Sequence, residues 1–89
     1  MARRRKRVWP EWWKWELDIS DHAAEAMPIR EFTEVDLRRM MEHARSCAPD
    51  IEEGRWRIET SFQGQPWEVI VEPVPEKKLL VVVTAYDVN

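Results

Sequence analysis

Two arginines and a glutamate at alternate positions are the residues of this chain best suited to chemistry on a phosphate. Arg55, Arg57 and Glu59 are separated by Trp56 and Ile58, so a period of two places the three charged side chains on one face of a strand. Guanidinium groups bind phosphate oxygens, and a carboxylate can accept the proton of an attacking hydroxyl. This combination suits the cleavage of RNA through its 2′-hydroxyl.

The same three residues also have a structural interpretation, which is the more frequent one in proteins. They can form a solvated sheet face held by cross-strand pairs that contribute about 0.2–1 kcal/mol each. Tyr86, which follows the last apolar run, can stack on a base or close the core. The residues alone leave both interpretations open.

His22 is a further candidate for acid–base chemistry, because a histidine changes charge near neutral pH. It falls in the first turn of a predicted helix, where capping or packing is the commoner role. His43 lies near a predicted helix C-terminus, which favours positive charge. Cys47 has no clear basic neighbour to ionise its thiol, so we do not expect a nucleophile there. Without a glycine-rich phosphate loop or a metal-ligand cluster, we expect no cofactor, no metal and metal-independent chemistry.

Two helices are predicted after a first strand at residues 13–19, where apolar and charged side chains alternate. Ser20 or Asp21 can cap a short helix over residues 22–27, which Pro28 ends. Thr33 and Asp36 form a capping-box pattern for a second helix that ends near residue 46. Its apolar face is predicted to comprise Val35, Leu37, Met40, Met41 and Ala44.

Three strands are predicted in the second half of the chain. Residues 55–62 and 67–72 form a hairpin around a four-residue loop, 63–66, and residues 79–85 form a central strand. Pairing Phe62 with Trp67 would place Arg57 opposite Glu72, and Ser61 opposite Glu68. The predicted buried face of the hairpin consists of Trp56, Ile58, Phe62, Trp67, Val69 and Val71.

The predicted fold class is therefore α+β, in the order β-α-α-β-β-β. An antiparallel sheet would carry both helices on one face. The domain would occupy residues 12–89, after a flexible basic arm at residues 1–11.

The charge of the chain is divided unevenly. The formal net charge is −3, yet residues 3–7 carry five of the 14 lysines and arginines. The rest of the chain has nine basic and 17 acidic side chains, so its formal net charge is 9 − 17 = −8. An acidic body is not the basic surface of a dedicated nucleic-acid-binding protein. We expect the arm to recruit an acidic partner surface or nucleic acid.

The single cysteine, Cys47, leaves no intramolecular disulfide and favours a reducing compartment. No apolar run follows the arm as in a signal peptide, and none approaches the ~20 residues of a membrane helix. We therefore expect a cytoplasmic protein that does not bind a membrane.

Several segments resemble an uncharacterised bacterial family of small proteins built on the RelE/ParE toxin fold. The likeness covers about residues 13–88 and leaves the basic arm outside. The family pattern is similar to His-Ala-x-x-Arg-Met, and here the arginine position is Ala26, before Met27. The matching segments are residues 15–17, 20–23, 32–38, 54–60, 64–73 and 79–86.

The resemblance implies the toxin half of a toxin–antitoxin pair, with a small zinc-finger or DNA-binding antitoxin as partner. RelE-like members cleave mRNA on the ribosome, and ParE-like members act on gyrase. For an endoribonuclease that acts on RNA, the residues that we predict to be catalytic are His22, Arg55, Arg57 and Glu59. The alternative is a non-catalytic protein-interaction module on the same scaffold.

Overall fold

The computed structural model describes residues 9–88, which form two helices and one five-stranded mixed sheet. A 3-10 turn, Glu11–Lys14, comes first. The other elements are β1 (Glu16–Ile19), α1 (Asp21–Arg30), α2 (Glu34–Glu42), β2 (Ser46–Pro49), β3 (Trp56–Phe62), β4 (Gln65–Val74) and β5 (Leu79–Asp87). The strand order is β1-β5-β4-β3-β2, and β1 pairs with β5 in parallel. Within residues 9–88, neither helix has the length and apolar character needed to cross a membrane.

The strand β2 corrects both the predicted element order and the predicted antiparallel sheet. Each antiparallel turn reverses the chain, so a fourth strand after the helices makes β5 run in the same direction as β1. The sequence contains little sign of β2, because none of Ser46, Cys47 and Ala48 is one of the β-branched or aromatic residues that are enriched in strands. Pro49 is tolerated since β2 lies at the edge of the sheet.

The hairpin between β3 and β4 has a two-residue turn, not the four-residue loop that we predicted. Gln63 and Gly64 have φ values of 54° and 77°, the positive values that a type I′ turn requires. The register therefore pairs Phe62 with Gln65 and places Arg57 opposite Ile70. The shift is two residues, so every side chain keeps its predicted face.

The predicted buried face of the hairpin is confirmed. Ile58, Trp67, Val69 and Val71 are buried, and the remaining two predicted residues pack partly buried against the same core. That core lies between the sheet and the helices. It also includes Ala23, Phe32, Leu37, Met40, Met41, Leu80, Val82 and Ala85.

The helix α1 begins as predicted but continues past Pro28. Ser20 caps it, accepting a hydrogen bond from the Ala23 N–H at 3.1 Å. The proline removes only one donor in the last turn. Beyond it, the N–H groups of Glu31 and Phe32 both donate to the Met27 carbonyl, so the helix ends at Arg30.

The helix α2 has the predicted capping box. Asp36 N–H donates to Thr33 Oγ1 at 3.2 Å, and Thr33 N–H donates to Asp36 Oδ2 at 2.8 Å. The helix ends at Glu42, earlier than predicted. Val35 is 61% exposed and does not belong to the buried face, so its predicted place was wrong.

The first strand, β1, is shorter than the predicted strand at residues 13–19, and most of the tryptophan-rich segment, residues 9–15, lies before it. Trp13 and Trp15 precede β1, because the 3-10 turn occupies residues 11–14. Trp9 stacks on Trp13 with ring centroids 4.5 Å apart, and the ring centroids of Trp12 and Trp56 are 5.7 Å apart. The predicted arm lies mostly outside the described residues, and its basic residues 3–7 lie wholly outside them.

One buried hydroxyl links the sheet to the helix layer. Thr60 is fully buried, and its hydroxyl donates to the Met40 carbonyl in α2. That carbonyl also accepts the His43 N–H at 3.2 Å.

We expect Thr60→Val to lower the free energy of unfolding by about 1 kcal/mol, the net value of one hydrogen bond, because the Met40 carbonyl keeps its second donor. Urea denaturation measures the change. Thr84→Val, on the opposite face of the sheet, is the control and should stay within about 0.5 kcal/mol of wild type. A Thr60→Val variant as stable as wild type would contradict the assignment.

Candidate functional site

Both helices pack on one side of the sheet, and we call the other side the open face. Its side chains alternate with the core residues along each strand. Arg55, which precedes β3, also belongs to the open face, because its Nε donates a hydrogen bond to Glu72 Oε1 at 3.3 Å. The open face includes Glu16, Asp18, Ser46, Ala48, Arg55, Arg57, Glu59, Glu68, Ile70, Glu72, Val74, Leu79, Val81, Thr84 and Tyr86.

A row of four polar side chains crosses the open face near one end of the sheet. Tyr86 on β5 lies beside Glu68 on β4, which is directly opposite Glu59 on β3, and Glu59 pairs with Ser46 on β2. The Tyr86 hydroxyl donates to Glu68 Oε1 at 2.7 Å, and the Ser46 hydroxyl donates to Glu59 Oε1 at 2.6 Å. We call Glu59 and Glu68 the carboxylate pair.

The carboxylate pair breaks a rule of sheet stability. Like charges directly opposite on neighbouring strands are destabilising, because their side chains are held close together. The two hydroxyls offset part of this cost, since each donates to one carboxylate. Both hydroxyl donors are uncharged, so they leave the negative charge of the two carboxylates in place. The pair can therefore attract a further cation beside the guanidinium of Arg57.

The hydroxyl of Tyr86 is held in its neutral form. Burial, followed by the hydrogen bond to Glu68 and the negative charges of Glu68 and Asp50, raises the pKa of Tyr86 to about 12. Arg57 opposes this increase, so its guanidinium acts on the same phenol. The phenol can therefore donate to a carboxylate throughout the physiological pH range.

The structure brings three of the four predicted catalytic residues to one face. Arg57 lies between the row of Glu59 and the row in which Arg55 bonds Glu72. The Arg55–Glu72 pair is more than a third exposed on both sides, so it contributes at most about 1 kcal/mol. Arg57 is the arginine of the open face that lies next to the carboxylate pair.

His22 lies on the other side of the molecule. It is exposed in the first turn of α1, where it lines a shallow depression with Glu25, Ala26, Ile29 and Arg30. The neighbouring Ala23 and Ala26 are buried against the sheet, so α1 separates His22 from the open face. The structure does not bring His22 together with the three predicted residues on the sheet.

The other two candidate residues, His43 and Cys47, lie where their side chains have structural roles. His43 follows α2, and its Nδ1 lies 2.8 Å from the Arg39 carbonyl. Cys47 packs partly buried against the core, and burial raises the pKa of its thiol. Neither arrangement activates a nucleophile or a base. Within residues 9–88, no three histidine, cysteine or acidic side chains are grouped to hold a metal ion.

A groove of about 350 Å³ lies on the helix side, between the tryptophan-rich segment and α2. Its apolar lining comes from Trp13, Trp15, Leu17 and Met41, with charged side chains at the margin. Trp12, Trp13 and Trp15 also pack partly buried against the core, so the same segment contributes to the core and to the groove.

Ser46 was not predicted as a site residue, and the predicted register did not pair Glu68 with Glu59. That register placed Glu68 opposite Ser61, because the predicted loop was two residues too long. The signal that could have corrected it is Gln63-Gly64, which occupies the place of the Asn-Gly pairs typical of two-residue hairpin turns. Ser46 had no such signal.

Comparison with protein-family models, with curated proteins and with solved structures gives no match to this chain. The function must therefore be argued from the open face itself.

Tyr86 is the single tyrosine of the chain, so its ionisation can be followed by tyrosinate absorbance. We expect a midpoint near pH 12 in the folded chain and near pH 10 in the unfolded chain. The folded chain then keeps a proton that the unfolded chain loses, so the free energy of unfolding should fall as the pH rises from 10 to 12.

Glu68→Gln should lower that midpoint towards 10, because it removes the negative charge that the hydroxyl faces. Circular dichroism at each pH establishes that the chain is still folded. A folded wild type that titrates near 10 would refute this account of the Tyr86 environment.

Proposed function

We propose that this chain is a non-catalytic protein-interaction module whose open face binds a basic segment of a partner protein. The carboxylate pair is the observation that supports this function. Two carboxylates on adjacent strands, each oriented by a hydroxyl, form a rigid acceptor for guanidinium groups. Arginine matches such acceptors through two parallel N–H···O bonds.

The charges around the pair favour the same kind of partner. The open face carries five carboxylates, those of Glu16, Asp18, Glu59, Glu68 and Glu72, against the guanidiniums of Arg55 and Arg57. A basic segment would be attracted to this surface, and a phosphate backbone would be repelled. The half-buried side chains of Val81 and Tyr86 lie among the charges and can pack against arginine side chains.

The resemblance to the RelE/ParE fold adds a biological setting to this proposal. In that setting the chain is a toxin-like protein in the bacterial cytoplasm, and its partner is a small antitoxin of the zinc-finger or DNA-binding type. Proteins that bind DNA carry clustered lysines and arginines to neutralise phosphates. Such a cluster is the chemistry that the open face would recognise.

The double variant Glu59→Gln/Glu68→Gln should weaken binding of an oligoarginine peptide at least about tenfold, which corresponds to about 1.4 kcal/mol. Titration calorimetry measures the affinity. The matched control is Glu52→Gln/Glu53→Gln, which removes two charges from the exposed loop before β3 and should bind like wild type.

The double variant should be at least as stable as wild type, because it removes the repulsion between opposite carboxylates. Equal losses of affinity in the two double variants would show that net charge alone drives binding, and would contradict a site at the carboxylate pair.

A metal-independent mRNA endoribonuclease is the second candidate, supported by the position of Arg57 beside the carboxylate pair. In this mechanism Glu59 accepts the 2′-hydroxyl proton, and the 2′-oxygen attacks phosphorus. Arg57 stabilises the charge of the phosphorane. The bond from phosphorus to the 5′-oxygen then breaks, and the leaving oxygen takes a proton from water.

Expression of the chain alone in a bacterial host separates the two candidates. The interaction module predicts normal growth and intact transcripts. The nuclease predicts growth arrest with cleaved mRNA, relieved by Arg57→Ala, for which we expect a loss of about 10²–10³ in rate. His22→Ala tests the remaining predicted catalytic residue; a loss of activity there would place the chemistry on the helix side instead.

A further inference from the structure

The chain contains a basic segment of its own that matches the open face in charge. Residues 3–7 carry five positive charges, while residues 9–88 carry nine basic against 17 acidic side chains. Several of those carboxylates lie on the sheet face that no helix covers. Complementary charge on two separate parts of one chain favours their association.

The described chain begins on the side opposite the open face. Trp9 stacks on Trp13, and Trp13 lines the groove against Arg38 and Met41 of α2. Trp9, the first described residue, therefore lies on the helix side. From Trp9, the six residues back to Arg3 span at most about 20–22 Å when fully extended. The carboxylate pair lies on the opposite face of the sheet from the groove that Trp13 lines.

We propose that the basic arm of one copy of this chain binds the open face of a second copy. The inference rests on the proposed function, because it assigns a partner to the same carboxylate pair. Two copies can exchange arms reciprocally, which gives a closed dimer with twofold symmetry. In each half, arginines of residues 3–7 contact Glu59 and Glu68, with Tyr86 beside them.

An association of this kind depends strongly on salt. The contacts are exposed ion pairs, each of which contributes little by itself. Raising the salt from about 0.1 M to about 1 M shortens the screening length from about 10 Å to about 3 Å. We therefore expect a dimer at the lower salt concentration and a monomer at the higher one.

Mixing two variants tests the exchange directly. The first variant lacks residues 2–7 and keeps the open face; the second is Glu59→Gln/Glu68→Gln and keeps the arm. At about 0.1 M salt, where screening is weaker, each variant alone should sediment as a monomer. The mixture should form a heterodimer in which one arm occupies one open face. Reciprocal contacts are halved there, so its affinity should be lower than that of wild type.

Glu52→Gln/Glu53→Gln replaces the second variant in the control mixture, and it should dimerise by itself because its arm and open face are intact. Circular dichroism confirms that every variant is folded. A wild type that is monomeric at both salt concentrations would overturn the proposal. So would a mixture without heterodimer, or a dimer that persists without residues 2–7.

Titration of the arm-deleted chain with oligoarginine distinguishes this failure from failure of the proposed function. Peptide binding without dimerisation of wild type leaves the open face as a site for another protein and refutes arm exchange alone. No peptide binding to the arm-deleted chain refutes both. If the arm of a second copy occupies the site in wild type, the arm-deleted chain should bind the peptide several-fold more tightly than wild type does, because no arm competes for the site.

Discussion

The pairing of β1 with β5 is the interaction on which the rest of the structure depends. It joins the first strand of the chain to the last, and the other strands follow from β5 across the sheet. Ser20 fixes the corner where β1 becomes α1. Its hydroxyl accepts the Ala23 N–H and donates to the carbonyl of Val83, the residue left over in the irregular pairing of β4 with β5. One side chain thus caps α1 and links it to β5.

Two features with a strong local signal were predicted correctly from the sequence. The hydrophobic alternation in β3 and β4 and the Thr33–Asp36 capping box were predicted correctly, because each depends on neighbouring residues. The four-residue strand β2 depends instead on its backbone pairing with β3. Missing that strand changed the direction of β5 relative to β1. A local omission therefore became an error in the topology of the whole sheet.

On the open face, the side on which each residue lies could be predicted from the sequence, but its neighbours on adjacent strands could not. Period-two alternation was enough to place Arg57 and Glu59 on the uncovered side. Their neighbours depend on the register, and the register depends on whether the turn contains two residues or four. The carboxylate pair and its contact with Tyr86 appear only once the φ values of Gln63 and Gly64 fix the shorter turn. His22 could not be placed by alternation, because it belongs to α1 and a period of two applies only to strands.

The two candidate functions make opposite demands on the carboxylate pair. A nuclease needs one carboxylate as a base, and a second one directly opposite would repel the phosphate that Arg57 must hold. A module that binds arginine needs both, since each added carboxylate strengthens attraction for a cation. The stability of the fold does not account for the carboxylate pair, because repulsion between like charges on neighbouring strands lowers the free energy of unfolding. The cost of pairing two carboxylates across the strands therefore supports the proposal that the open face binds a basic segment.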